Sequence, residues 1–386
     1  MNRSHRILPV YTGDVSGVCS ALYELGGMVV IHDPSGCNST YNTHDETRWY
    51  DRDSLIFISG LSEIDAILGN DEKLVDDVAD AARQLHPRFI ALVNSPIPYL
   101  SGVDFPALAR LIEAETGIPA FYVKTNGMHD YVMGAGGALA ELAARFVVPA
   151  NRRSGAVNLL GVTPLDFAAD GSDAALRSSL RQGGFEVLSC WAMGDTLETL
   201  SRAAEAEVNL VVSALGLPAA RVLRQRFGTP YVTGLPVGGF REPLFRALRQ
   251  AAVDGQNAFP CRDLRGTASG GESRWTAIGE PVTMGSIGAA IGLERGVPVQ
   301  VLSPLEDTEA LLAPMDFAVA GEEEAEAALA GSDVILADPL YRPVCPPDAR
   351  LISLPHLAFS GRCFQKSMQI LPDLDPAGLC AQEDVP

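Results

Sequence analysis

Seven cysteines, Cys19, Cys37, Cys190, Cys261, Cys345, Cys363 and Cys380, carry the first chemical signal in this chain. Their number is odd, their spacing is wide and no CxxC pair occurs, which argues against a disulfide framework or a self-contained zinc knuckle. Any metal they bind needs ligands gathered from distant segments or from two subunits. Two of them sit in sequence suited to a thiolate. Met28-Val-Val-Ile-His-Asp-Pro-Ser-Gly-Cys37 reads as a strand running into a tight turn that presents the Cys37 thiol at the strand's carboxyl end. Asp14-Val-Ser-Gly-Val-Cys19 reads as a helix start, where backbone N–H groups and the dipole favour a thiolate. For each, the competing reading is a small core side chain, the common fate of a free cysteine. Thr43-His44-Asp45-Glu46 follows Cys37 with an imidazole and two carboxylates, so His44 is a candidate proton donor there, set against an ordinary solvated loop. His32 and Asp33 precede the turn and can orient it by hydrogen bonds.

The elements that must hold these residues are legible in the apolar pattern. Short apolar runs alternate with amphipathic stretches, which predicts an α/β fold of three consecutive Rossmann-like, doubly wound parallel-sheet modules. The first (1–152) has strands over Met28–His32, Leu55–Ser59, Phe89–Asn94 and Ala120–Lys124, with helices over Asp71–Leu85 and Phe105–Thr116. The second (153–258) has strands over Val157–Val162, Glu186–Trp191, Val208–Ala214 and Pro230–Thr233. Phe259–Arg274, with Thr-Ala-Ser-Gly-Gly inside it, reads as a linker. The third (275–386) has helices over Val282–Glu294, Asp307–Ala313 and Glu322–Ala330, and strands over Pro298–Leu302, Val334–Asp338 and Arg350–Leu354. Such folds host many chemistries, but they place ligands in crevices at the carboxyl ends of strands.

Composition narrows the partners. Lys and Arg total 29 against 48 Asp and Glu, and the net charge of −19 opposes binding to phosphate backbones or anionic lipid. The N-terminus lacks a signal-peptide core, and no run approaches the roughly 18 apolar residues of a membrane span. The expected setting is the cytoplasm, with neither nucleic acid nor membrane as partner. Glu322-Glu-Glu324 reads as the exposed start of a helix. The Gly-rich stretch Asn126–Gly137 lacks G-x-G-x-x-G order after a strand, and no Gly-Lys-Ser/Thr follows it, so no nucleotide site is predicted.

Taken in order, four segments of the first module carry a resemblance: Gly17-Val-Cys-Ser-Ala-Leu22, His32-Asp-Pro-Ser-Gly-Cys37, Glu63-Ile-Asp65-Ala-Ile-Leu-Gly69 and Val93-Asn-Ser-Pro96. With Trp191-Ala-Met-Gly-Asp195, Val208-Asn-Leu-Val-Val and Leu354-Pro-His-Leu-Ala-Phe-Ser-Gly361, the series resembles the nitrogenase component 1 superfamily, including the dark-operative protochlorophyllide reductase and nickel-sirohydrochlorin reductive cyclase subunits. The resemblance implies a homodimer, or a heterodimer with a related subunit, and an iron–sulfur cluster, [4Fe–4S], shared at the interface. It further implies an oxidoreductase fed by an ATP-dependent iron protein, reducing a substrate bound between modules. The other roles it allows are a scaffold for assembling a complex metal cluster and an electron-relay subunit.

The resemblance assigns Cys37 to the family's cluster cysteine. The family's first cluster cysteine falls near Tyr11-Thr12 here, and its third falls at Ser95, so neither place holds a thiol. Cys19 is the nearest remaining thiol, and two subunits each giving Cys19 and Cys37 would supply four thiolates. The cysteine that anchors the molybdenum–iron cofactor in the catalytic subunit corresponds to Ser213, and His356 falls beside the family's cofactor-binding histidine. His356 is therefore the candidate catalytic imidazole of the inter-module cleft, set against an ordinary satisfied histidine, because a shift by one residue along a strand turns the side chain to the other face. The cleft's occupant stays open: a further metallocofactor, a tetrapyrrole, a thioether or nothing.

Overall fold

The structure, a computed structural model, describes residues 5–34, 46–265 and 273–379. The N-terminal segment leads into α1 (Asp14–Leu22), β1 (Met28–His32), β2 (Leu55–Ile58), α2 (Glu63–Leu68), α3 (Asp71–Leu85), β3 (Ile90–Asn94), α4 (Pro96–Leu100), α5 (Phe105–Thr116), β4 (Ala120–Tyr122) and α6 (Tyr131–Arg145). The strands pair in parallel in the order β2-β1-β3-β4, with His32 opposite Asn94. Every residue of β1 and β3 is buried, which is why both read as unbroken apolar runs rather than as alternation. Leu74, Val75, Val78, Ala79 and Ala82 form the buried stripe of α3 at helical spacing.

A second sheet follows: β5 (Arg153–Leu160), α7 (Ser172–Gln182), β6 (Glu186–Cys190), α8 (Leu197–Ser201), β7 (Ala206–Val211), α9 (Leu217–Phe227), β8 (Tyr231–Thr233) and α10 (Arg241–Asp254), in the order β6-β5-β7-β8. Helix α11 (Pro260–Arg265) leads to the third: β9 (Trp275–Ile278), α12 (Pro281–Arg295), β10 (Val299–Ser303), β11 (Phe317–Ala318), α13 (Glu322–Leu329), β12 (Val334–Ala337), β13 (Arg350–Ser353) and α14 (Leu357–Ser360), in the order β11-β10-β9-β12-β13. All three sheets are parallel and wound alike. The first strand of each lies inside, the next goes to one side and a later one to the other. Each module thus has one switch point, between β1 and β3, β5 and β7, or β9 and β12, and ligands of such sheets bind at these crevices.

Three features depart from the sequence reading. The segment Asp307–Ala313 forms only a 3-10 turn at Glu309–Leu311. Part of the expected linker is the helix α11, which buries Cys261. The Gly-rich stretch runs from a loop into α6, a packing helix: a Cβ on Gly134 would collide with the Asp14 carbonyl and one on Gly17 with that of Tyr131. Glycine at both places lets the backbones of α1 and α6 touch.

Candidate functional site

The switch point of the first module lies between the ends of β1 and β3, where Asp33 and Ser95 follow the strands. Both are 3% exposed, yet Asp33 Oδ2 and Ser95 Oγ have no hydrogen-bond partner among the described residues. A buried polar atom left in that state costs about 1–3 kcal/mol, so this crevice is built with donors and acceptors that the described fold does not use. Around them the backbone is held firmly. His32 Nδ1 lies 2.8 Å from Ser59 Oγ, the Asp33 carbonyl accepts from Leu61 N–H at 2.9 Å, and Tyr122 donates to Asn94 Oδ1 at 2.8 Å. Burial keeps the His32 imidazole below its ordinary pKa, favouring the neutral form. Asp14, buried at the start of α1, accepts from Asn126 N–H at 2.8 Å and Gly127 N–H at 2.9 Å, and a Cβ on Gly127 would meet Pro96. The loop before α6 is thereby pinned beside Ser95.

Two short helices beside this crevice present apolar side chains to solvent. Ile64, Ile67 and Leu68 of α2 are 68%, 74% and 75% exposed, and Leu100 of α4 is 78% exposed. No residue of α2 is buried. Clustered exposed aliphatic residues mark a surface that meets another protein.

The candidates from sequence are placed unevenly. Cys37 and His44 lie outside the described residues. Ser95 stands at the crevice. Cys19 is enclosed in the core with Val18, Leu22 and Ala135, and burial pushes its thiol above the ordinary pKa, opposing the thiolate that the helix start was expected to favour. A sulfur that bridges two subunits must be reachable from outside its own chain, and that of Cys19 is not. Its geometry is that of the core packing residue. Among the described residues no three His, Cys, Asp or Glu side chains are grouped so as to hold a metal ion.

His356 is 7% exposed and belongs to a second constellation, at the ends of strands in the other two modules. Its Nε2 lies 3.2 Å from Asp166 Oδ1, and its ring stacks on Phe359 with centroids 4.4 Å apart. Neither ring nitrogen has a hydrogen-bond partner among the described residues, so Nε2 faces Asp166 without a formed hydrogen bond. Tyr131, from the first residue of α6, donates to Asp166 Oδ1 at 2.5 Å, and Ser213 donates to Asp166 Oδ2. Glu280, fully buried after β9, accepts from Ala214 N–H at 2.9 Å, Val282 N–H at 3.1 Å and Thr283 N–H at 2.7 Å. Burial first, and the charge of Asp166 second, push Glu280 up to about 7. Asp338, after β12, accepts from His356 N–H at 2.7 Å and Ser360 Oγ at 2.8 Å, setting the backbone that carries the imidazole. Sequence reasoning named Ser213 and His356 but missed Tyr131, Asp166, Glu280 and Asp338. The usable signal was position: each of the three carboxylates follows a strand's carboxyl end.

Two open clefts lie elsewhere. One of about 590 Å³ separates the N-terminal segment from the third module and is lined by Thr12, His129, Asp130 and Glu306. Burial pushes Asp130 there up to about 6. Another, of about 480 Å³, is lined by Tyr11, Phe359, Arg362 and Cys363.

Comparison with known proteins places this geometry in a class. The family model of nitrogenase component 1 type oxidoreductases matches residues 16–251, well over half of the chain, and the chain belongs to that family. Among curated relatives, a light-independent protochlorophyllide reductase subunit of Prosthecochloris aestuarii is 26% identical over 218 residues, which cover 54% of this chain and 39% of the relative. The nitrogenase iron-molybdenum cofactor biosynthesis protein NifE of Klebsiella pneumoniae is 23% identical over 224 residues, covering 53% of this chain and 48% of that protein. The chain thus matches about half or less of these relatives' length. Among solved structures, nitrogenase Cp1 at pH 6.5 superposes with a TM-score of 0.69 at 14% identity, over 99% of this chain and 93% of that one. The same protein at pH 5 gives 0.64 at 14% identity, over 93% and 85%. Those two likenesses establish the shared fold of three Rossmann-like modules. Among the described residues no helix is long and apolar enough to cross a membrane.

Proposed function

We propose that the chain is one subunit of a nitrogenase-like reductase, holding an iron–sulfur cluster against a partner subunit through Cys37. The observation that carries this reading is the first-module crevice: among the described residues Ser95 Oγ and Asp33 Oδ2 are buried and unpaired at the ends of β3 and of β1, the strand that Cys37 follows in sequence, and exposed aliphatic helices stand beside them. A soft thiolate is the natural iron ligand, with Asp33 an available hard one. Cys19 is enclosed in the core and the described residues hold no group of three metal-ligating side chains, which supports a site completed by the partner subunit. When bound, the cluster would relay single electrons. The residues around it would fix the turn, exclude water and keep His32 neutral.

The electron donor in this reading is an ATP-dependent iron protein, for which α2 and α4 offer an apolar footing. The Prosthecochloris relative is by its name a reductase of protochlorophyllide, which favours a tetrapyrrole as substrate, with His44 as a proton donor beside the cluster. The name of the Klebsiella relative supports the second reading, a scaffold on which a metal cofactor is built.

Anaerobic purification with the partner subunit, iron and sulfide analysis, and paramagnetic resonance before and after reduction test the proposal. Cys37→Ser is expected to keep a cooperative unfolding transition and lose most of the iron, because a hydroxyl stays protonated and binds iron poorly. Full retention of iron in that variant would overturn it. Reduction is expected to need both the iron protein and ATP hydrolysis; full turnover on a ferredoxin alone would remove the assigned donor.

A further inference from the structure

The crevices of the second and third modules face each other, and by their topology they are where a ligand between modules would sit. They are already filled. Asp166 draws in Tyr131 from the first module, Ser213 from its own and His356 from the third, so one carboxylate joins all three. Beside it Glu280, from the third module, takes the backbone N–H of Ala214 in the second. Every one of these side chains is at least nine-tenths buried. Both ring nitrogens of His356 lack a hydrogen bond among the described residues, Nε2 only facing Asp166 at 3.2 Å, but His356 is 7% exposed and neither cleft described above is lined by Asp166, Ser213, Glu280 or His356, so no path from those clefts reaches the ring.

A metallocofactor at this place would need an exposed thiolate or imidazole with a free coordination direction and a cavity beside it. Ser213 offers a hydroxyl already committed to Asp166, and the ring of His356 stacks on Phe359, with Tyr131 tilted 6.4 Å away between centroids and Asp166 3.2 Å from Nε2. The donors do not fit such a group.

We infer that Asp166 closes the junction between the three modules, so that this chain holds no metallocofactor or substrate there and meets its substrate or cargo at its surface. This goes beyond the proposed function and rests on it only for the word substrate. A closed junction makes the chain a subunit whose metal chemistry is confined to the first-module crevice. If it serves as a scaffold, the cargo docks outside.

The test measures iron in the full chain, reconstituted anaerobically with ferrous iron and sulfide, for His356→Ala, Ser213→Ala and Asp166→Asn beside Cys37→Ser. His356→Ala and Ser213→Ala are expected to retain the wild-type iron content within error. Asp166→Asn is expected to retain it too, while amide hydrogen exchange speeds up at Ala214, Val282 and Thr283, which belong to the same junction. Loss of iron in His356→Ala or Ser213→Ala, in protein that still unfolds cooperatively, would overturn the closed junction. So would exchange rates unchanged in Asp166→Asn, because the carboxylate would then not be what holds the modules together. Retention of iron in Cys37→Ser would instead defeat the cluster proposal and leave the closed junction standing.

Discussion

The same topological position has opposite fates in different modules of this molecule. At the first switch point Asp33 and Ser95 are buried with oxygens unpaired among the described residues, while at the junction of the other two Asp166 takes hydrogen bonds from two modules and faces the His356 imidazole of the third. Identical winding therefore does not decide where a ligand binds. What decides is whether the polar groups that the strands deliver to their carboxyl ends find each other. In the first module Asp33 Oδ2 and Ser95 Oγ find no partner among the described residues. In the second and third, two crevices face each other and α6 adds Tyr131, so Asp166, Tyr131 and Ser213 satisfy one another and the His356 ring is left facing Asp166 without a hydrogen bond among the described residues.

Removing the acceptor at each place should separate the two regions most strongly. Asp166→Ala strands Tyr131 and Ser213 without an acceptor, and the expected cost is about 3 kcal/mol or more. Asp33→Ala, which deletes a carboxylate with one buried oxygen, Oδ2, unpaired among the described residues, should cost less than Asp166→Ala in the chain alone. Denaturant unfolding of both variants checks the pair, and equal losses would erase the distinction.

Next in size is a pH effect. Glu280 has a folded pKa of about 7 against an ordinary 4.5, so between those values the folded state holds a proton that the unfolded state has released. Stability from this group is therefore full below about pH 4.5, falls as pH rises and levels off above 7, a change on the order of a few kcal/mol. Glu280→Gln should flatten that slope between pH 5 and 7. An unchanged slope would mean that Glu280 does not carry the retained proton.

Hydroxyl deletions give a smaller and oppositely signed comparison. Ser213→Ala should cost about 1–2 kcal/mol because it breaks a buried bond to a carboxylate, whereas Ser95→Ala should be neutral or stabilising by up to about 1 kcal/mol. If Ser95→Ala costs as much as Ser213→Ala, the first crevice is not open in the sense argued above. Smallest in stability, but decisive for association, is Ile67→Asp on α2, expected to change unfolding by no more than about 0.5 kcal/mol while weakening partner binding. Unchanged association by sedimentation would show that this face meets no partner.

Much of the fold was legible because buried parallel strands such as β1 and β3 announce themselves as apolar runs, and α3 as a helical stripe. Helix α6 was not, since its glycines look like a loop until Gly134 is seen against the Asp14 carbonyl. Strand β9, short and built of Trp275-Thr-Ala-Ile278, was hidden behind the Gly-rich segment before it. At the site, Ser95, Ser213 and His356 were found through family resemblance. Asp166 escaped because its partners, Tyr131 and His356, lie 35 and 190 residues away in sequence and only the fold makes them neighbours. Cys19 read from sequence as either a helix-start thiolate or a core side chain; its burial raises the thiol, because the cost of desolvating the charge outweighs what a helix dipole gives back.

The central claim is that the first-module crevice holds its cluster jointly with a partner subunit. Mass and iron content measured on the same particles, by native mass spectrometry of anaerobically prepared protein, test it directly. Iron is predicted to travel only with the oligomer, and Cys37→Ser is predicted to lose the iron and shift the population toward single chains. A complete four-iron cluster on a single chain would contradict it.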